Sequence, residues 1–195
     1  MGKRQMTRVP EGCREAAVGL LVAAAQVRPP AVFLITSPGA REGRTFMAGQ
    51  LARILAAEGQ RTALVSHHPA GDDGPSLAAV CQGQQTVAWL PGVPTLLALP
   101  DPHAGFLYQP PGPKAWLPEA QILIIDGLPV RHVFCRTLAP LVDGVVLVTD
   151  TRHARLTAVR QAAAAIGQQG GKLLGVVLNR HRSPLPSFLR FLHDV

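Results

Sequence analysis

Four short runs, Ala31–Thr36 (AVFLIT), Ile122–Ile125 (ILII), Gly144–Thr149 (GVVLVT) and Leu173–Leu178 (LLGVVL), contain no charged side chain. A strand with one face in water alternates apolar with polar residues, so an uninterrupted apolar run of this length describes a strand buried on both faces. Such strands belong to a parallel sheet covered by helices. The intervening segments supply the cover. Apolar spacing predicts helices over Glu11–Val27, stopped at Pro29 and Pro30, over Phe46–Glu58, closed by Gly59, and over Ala154–Gln168. A short helix over Pro75–Cys81, helical turns over Pro186–Asp194, and strands over Thr62–Val65 and Thr95–Leu99 complete the pattern. Strand, loop, helix, strand repeated in this way is an α/β fold: a mostly parallel sheet flanked by helices.

The chain has 195 residues, enough to bury a core without a disulfide or structural metal. We read residues 11–195 as a single domain and residues 1–10 as a basic arm. The breaker-rich segment His67–Pro75 and the proline-rich stretch Pro100–Pro118 are expected to be irregular excursions from it. The longest apolar stretch, Ala16–Val27, has twelve residues, well short of the roughly twenty that span a bilayer. Cys13, Cys81 and Cys135 are far apart and form no paired-cysteine motif, which speaks against a disulfide framework or a zinc site and for a reducing cytoplasm. The formal charge of +7 is spread from Arg4 to Arg190 with no long basic run, so it describes a basic surface before a nucleic-acid site.

The first strand leads into Ser37–Thr45, a loop with Gly39 and Gly43, a cation at Arg44 and a hydroxyl at Thr45 where the next helix opens. A phosphate cradle needs these parts: backbone N–H groups turned inward by glycines, a helix N-terminus, a cation, and a hydroxyl for magnesium. The pattern departs from the common phosphate loop at two places, with Pro38 where a glycine is usual and Arg44 where lysine is usual. Asp126, closing the apolar run ILII, stands where a nucleotide-binding α/β protein places the carboxylate that orients magnesium-bound water.

With these residues the chain resembles the MinD/ParA-type P-loop ATPases, and among them the bacterial tyrosine kinases of capsule and exopolysaccharide synthesis. Those kinases commonly read TSPGPGEGK followed by Ser or Thr; Thr36–Thr45 here reads TSPGAREGRT. They read VIIDTPPV around the acidic strand end, against LIIDGLPV at Leu123–Val130, and Leu174–Asn179 (LGVVLN) matches their last core strand letter for letter. Glu11 and Arg14 keep the first half of an assembly motif, ExxRxxR, with Ala17 in place of its last arginine. The resemblance spans roughly Glu11 to Arg180.

It implies an ATP or ADP site in which Ser37, Gly39, Gly43 and Arg44 surround the phosphates, Thr45 and Asp126 hold magnesium, and Asn179 reads the adenine edge. Asp126 is also the candidate for a catalytic role. Departures from the family pattern are equally informative. The family's second acidic motif, DxDxR after a strand, falls here on Ser66, His67 and His68, so both carboxylates are missing. Their loss removes charge that phosphoryl transfer requires. Arg44 is a planar fork on a longer arm and does not reproduce a compact ammonium between phosphates. Arg41 replaces a loop glycine, at a cost of about 1 kcal/mol if that position takes a positive φ. The kinases end in a tyrosine cluster, whereas the only tyrosine of this chain is Tyr108.

The expected function is therefore that of a degenerate kinase-like P-loop protein, a pseudo-kinase or pseudo-ATPase that regulates exopolysaccharide synthesis or export. Its partner is expected to be a membrane-embedded polysaccharide synthesis or export protein, with homo- or hetero-oligomers formed through the Glu11/Arg14 helix. The expected location is the cytoplasm, at the inner face of the membrane through that partner. The alternative is an active MinD/ParA-type ATPase whose nucleotide-dependent dimer positions a membrane complex or DNA. His67 and His68, with Asp72 and Asp73, have metal-binding side chains but no evident third ligand. Trp89 and Trp116 read as core anchors or a partner-contact patch.

Overall fold

Six strands form one sheet in the computed structural model, which describes residues 11–66, 76–82, 84–98 and 112–180. They are β1 (Ala31–Thr36), β2 (Thr62–Ser66), β3 (Thr95–Ala98), β4 (Ile122–Asp126), β5 (Gly144–Asp150) and β6 (Leu173–Asn179). Their order is β3-β2-β4-β1-β5-β6, with every pairing parallel. All residues of β1, β2, β4 and β5 are buried, the outcome expected of uninterrupted apolar runs in a helix-covered parallel sheet.

Among the described residues five α-helices flank the sheet: α1 (Glu11–Ala24), α2 (Arg44–Ala57), α3 (Leu77–Cys81), α4 (Val133–Leu138) and α5 (Leu156–Gln168). Alternate residues of each strand point to opposite faces and build two cores. On one face Phe33, Ile35, Ile122, Ile124 and Val148 pack against Leu20 of α1 and Leu51 and Leu55 of α2. On the other, Leu34, Leu123, Ile125 and Leu147 pack against Phe134 and Leu138 of α4 and Ile166 of α5. Trp116 is an anchor of this second core at 4% exposure, and half-buried Trp89 packs at its edge while its Nε1 donates to Glu119 Oε2 at 3.2 Å.

Several boundaries differ from those predicted. Helix α1 ends at Ala24 rather than Val27. Helix α2 begins two residues before Phe46, because Gly43 takes a left-handed conformation (φ 87°) and its carbonyl accepts the first helical bond, from Met47 N at 3.0 Å. The six-residue α4 was not expected, being too short to show a periodic face. It is opened by His132, whose Nδ1 accepts from Phe134 N at 3.2 Å. Strands β2, β4, β5 and β6 each run one residue beyond the apolar run that announced them, and the added residue is buried and polar: Ser66, Asp126, Asp150 and Asn179. Parallel pairing thus gathers four polar side chains at the carboxyl edge of the sheet, the edge at which α/β proteins of this kind bind ligands. The predicted irregularity of His67–Pro75 and the C-terminal turns at Pro186–Asp194 fall outside the described residues, as does most of the proline-rich stretch.

Candidate phosphate-loop site

The loop from β1 to α2 lies between the ends of β4 and β5, the two neighbours of β1 in the sheet. Its first residues are fastened to the β4 side. Gly127 N donates to Ile35 O at 2.9 Å, Val130 N donates to Ser37 O at 2.9 Å, and the Thr36 hydroxyl donates to Leu128 O at 2.6 Å. Ser37 is fully buried, and its hydroxyl donates to Gly39 O, which folds the loop back on itself. Gly127 is dictated by packing. A Cβ there would lie 2.7 Å from Leu34 Cδ1 and 2.9 Å from Cys135 Sγ.

Beyond Gly39 the backbone turns through two left-handed residues, Arg41 (φ 62°) and Gly43 (φ 87°). The positive φ anticipated at position 41 is therefore present, borne by a side chain that disfavours it. Between these two residues Glu42 ties the loop to β5 and β6. Its Oε2 accepts from Asp150 N at 2.6 Å, and its carbonyl accepts from Asn179 Nδ2 at 3.0 Å.

At the start of α2 Thr45 is exposed and Arg44 half-buried. The Arg44 Nη1 atom is buried and has no hydrogen-bond partner among the described residues. Burial lowers the Arg44 pKa, opposed by the negative charge of Asp126 first and then by Cys135 and Glu42. Asp126 is 5% exposed; its Oδ2 accepts from the Ser66 hydroxyl at 2.9 Å, and its Oδ1 is buried without a partner among the described residues. A cation and a carboxylate thus stand within electrostatic reach, each with one polar atom unsatisfied. A buried unsatisfied polar atom is costly, and in a native fold it commonly marks a place that a ligand or ion completes. The nearby Cys135 thiol is pushed up to about 11 by burial and donates to Leu128 O at 2.7 Å, so it is a structural donor and no nucleophile.

The other side of the loop carries a cluster that the sequence reading did not single out. The Asp150 carboxylate receives Arg152 through Nε (3.1 Å) and Nη2 (2.8 Å), and Arg180 through Nη1 at 2.7 Å. Arg152's hydrogen bonds, more than any other contact, hold this carboxyl far below the usual carboxylate range. A signal was available: GVVLVT runs into Asp150 as ILII runs into Asp126.

The structure therefore brings together Ser37, Gly39, Gly43, Arg44, Thr45, Asp126 and Asn179 around one loop. Magnesium takes hard oxygen ligands, and Asp126 Oδ1, without a hydrogen-bond partner among the described residues, is a donor of that kind. Of the assembly motif, Arg14 is exposed on α1, while Ala17 is buried in the core at 1% exposure, at the position where the kinases carry an arginine. The pair His67 and His68, with Asp72 and Asp73, lies outside the described residues. Among the described residues no three His, Cys, Asp or Glu side chains form a metal-binding group.

The fold recurs in solved structures. The kinase domain of VpsO superposes with a TM-score of 0.65 and 24% identity, covering 87% of this chain and 96% of that one. The fold is that of the MinD/ParA-type P-loop ATPases and the bacterial tyrosine kinase domains. Within this P-loop fold, the chimerical protein CapA2B2 matches with a TM-score of 0.73 and 20% identity over 93% of this chain and 88% of that one. The septum site-determining protein MinD of Pyrococcus horikoshii, solved with Mg-ADP, matches with a TM-score of 0.60 and 18% identity, covering 85% and 78%. No protein-family model matches the sequence, and no curated protein matches it. No helix among the described residues is long and apolar enough to cross a membrane.

Proposed function

We propose that this P-loop chain binds ATP or ADP but turns it over weakly or not at all, and acts as a regulatory subunit of bacterial exopolysaccharide synthesis or export. The observation that carries the reading is the Ser66 hydroxyl on Asp126 Oδ2. The kinases place the first carboxylate of their second acidic motif at this position, and here a neutral donor stands there. Phosphoryl transfer depends on charge arranged around the metal and the attacking hydroxyl, so one carboxylate in place of three removes much of the machinery while leaving a phosphate cradle.

In this reading the backbone of residues 39–43 and Arg44 receive the phosphates. Thr45 and Asp126 hold magnesium, which when bound neutralises phosphate charge. Ser66 fixes the orientation of Asp126. The partner is a membrane-embedded polysaccharide synthesis or export protein, met at the inner face of the membrane, with Arg14 on α1 as part of the contact surface for it or for another copy of the chain.

One observation favours the alternative of an active MinD/ParA-type ATPase with a nucleotide-dependent dimer: Asp126 keeps an unpartnered, buried oxygen of the kind a working metal site needs. Phosphate release and tyrosine phosphorylation, measured with Mg-ATP beside a nucleotide-binding titration, separate the two. The regulatory reading expects binding with weak or absent phosphate release and no phosphotyrosine. Magnesium-dependent turnover that Asp126→Ala abolishes would refute it. Arg44→Lys alone is expected to restore no kinase activity, because Ser66 still occupies the acidic position.

A further inference from the structure

We infer that Asn179 is a positioning residue for the phosphate loop; the inference rests on the nucleotide-binding reading above. Asn179 closes β6, paired with Asp150 at the end of β5. Its side chain amide lies on the loop. Nδ2 donates to Glu42 O at 3.0 Å, and because a carbonyl can only accept, the amide nitrogen and not its oxygen must face it.

The amide also fills the space above Gly43, where an added Cβ would stand 1.9 Å from Nδ2 and 3.1 Å from Cγ. Asn179 is only 8% exposed. Reading an adenine edge takes both ends of an amide, one donating and one accepting, presented in one plane toward the base. One N–H of the Asn179 amide is committed to a loop carbonyl, which ties the side chain to the loop whatever its second N–H and Oδ1 face.

Its position explains what that contact does. Glu42 lies between the two left-handed residues Arg41 and Gly43, and it is gripped twice from adjacent strands: at its carbonyl by Asn179 and at its carboxylate by Asp150 N at 2.6 Å. Left-handed turns are conformations the unrestrained chain seldom adopts at a non-glycine residue. The double grip holds the loop in its cradle shape before any phosphate arrives. Losing the Asn179 contact should therefore weaken every ligand that uses the cradle, whatever base it carries.

Calorimetric titrations of the full chain with ADP, IDP and inorganic pyrophosphate test this. IDP alters the base edge and pyrophosphate has none. Asn179→Asp replaces the donor with a group that repels Glu42 O, and Asn179→Ala, the second variant, avoids introducing a buried charge. Both are expected to lose affinity for all three ligands by a common factor of about ten, the size of one lost hydrogen bond with its reordering cost. Selective loss of ADP affinity, with pyrophosphate binding unchanged, would overturn the inference in favour of base reading. Hydrogen exchange on the ligand-free proteins gives an independent readout. Amides of residues 41–44 should exchange faster in Asn179→Ala, and unchanged exchange would also overturn the inference. A wild-type chain that binds none of the three ligands, with faster loop exchange in the variant, would instead refute the nucleotide-binding reading and leave the positioning role standing.

Discussion

Arg41→Gly should make this protein more stable, although it deletes a long side chain from the loop that defines the site. Arg41 holds φ at 62°, its side chain is exposed, and it takes part in no ion pair among the described residues. A Cβ in the left-handed region crowds the following carbonyl at a cost of roughly 1–2 kcal/mol, which glycine does not incur. Against this, glycine widens the conformational freedom of the unfolded chain, a loss of about 0.4–1 kcal/mol. The balance is a gain of about 0.5–1 kcal/mol. For a domain of this size that is a rise of about 1–4 °C in Tm, or a shift of the urea midpoint with an unchanged slope. Arg53→Gly is the control. Arg53 is exposed within α2, where glycine costs about 1 kcal/mol, so the two arginine-to-glycine changes should move stability in opposite directions. Equal destabilisation by both would show that the loop does not hold Arg41 in a disfavoured conformation, and the reasoning would fail.

Three further outcomes are expected. Gly127→Ala should destabilise by about 1–3 kcal/mol in urea unfolding, because its methyl group meets Leu34 and Cys135 closer than atoms pack. Asp150 should make wild-type stability more acid-sensitive than that of Asp150→Asn. A carboxyl held low in the folded state contributes stability above its unfolded pKa, near 4, and loses it as pH falls toward the folded value, so the two denaturation profiles should converge below pH 4. A thiol reagent at pH 8 should label Cys81, which is exposed, well before buried Cys13 and Cys135, and early loss of all three thiols would mean that the two cores open readily.

Much of the site could be read in the chain because its parts are contiguous. Ser37 to Thr45 is one loop, and a phosphate cradle is built from consecutive backbone N–H groups, so residue types and spacing suffice to propose one there. Asp126 was legible because an apolar run that ends in a carboxylate at a sheet edge is itself a local pattern. Glu42, Asp150, Arg152 and Arg180 were not legible as a group, since nothing in their spacing says that β5 and β6 end beside the loop. The short α4 escaped for a different reason: six residues cannot display a helical period, and its cap is the ring nitrogen of His132.

The chain alone carries the class of fold and the place of the glycine-bearing loop proposed as the phosphate cradle. Both follow from local physics: charge-free runs must be buried on both faces, and glycines after such a run must turn the backbone. Only the tertiary structure decided what the polar residues at the strand ends do. Parallel pairing sets Ser66 on Asp126 and brings Asn179 and Asp150 against Glu42. Contacts across 60, 108 and 137 residues of chain depend on which strands become neighbours. Strand order is chosen by the packing of the whole sheet, and no single segment carries it.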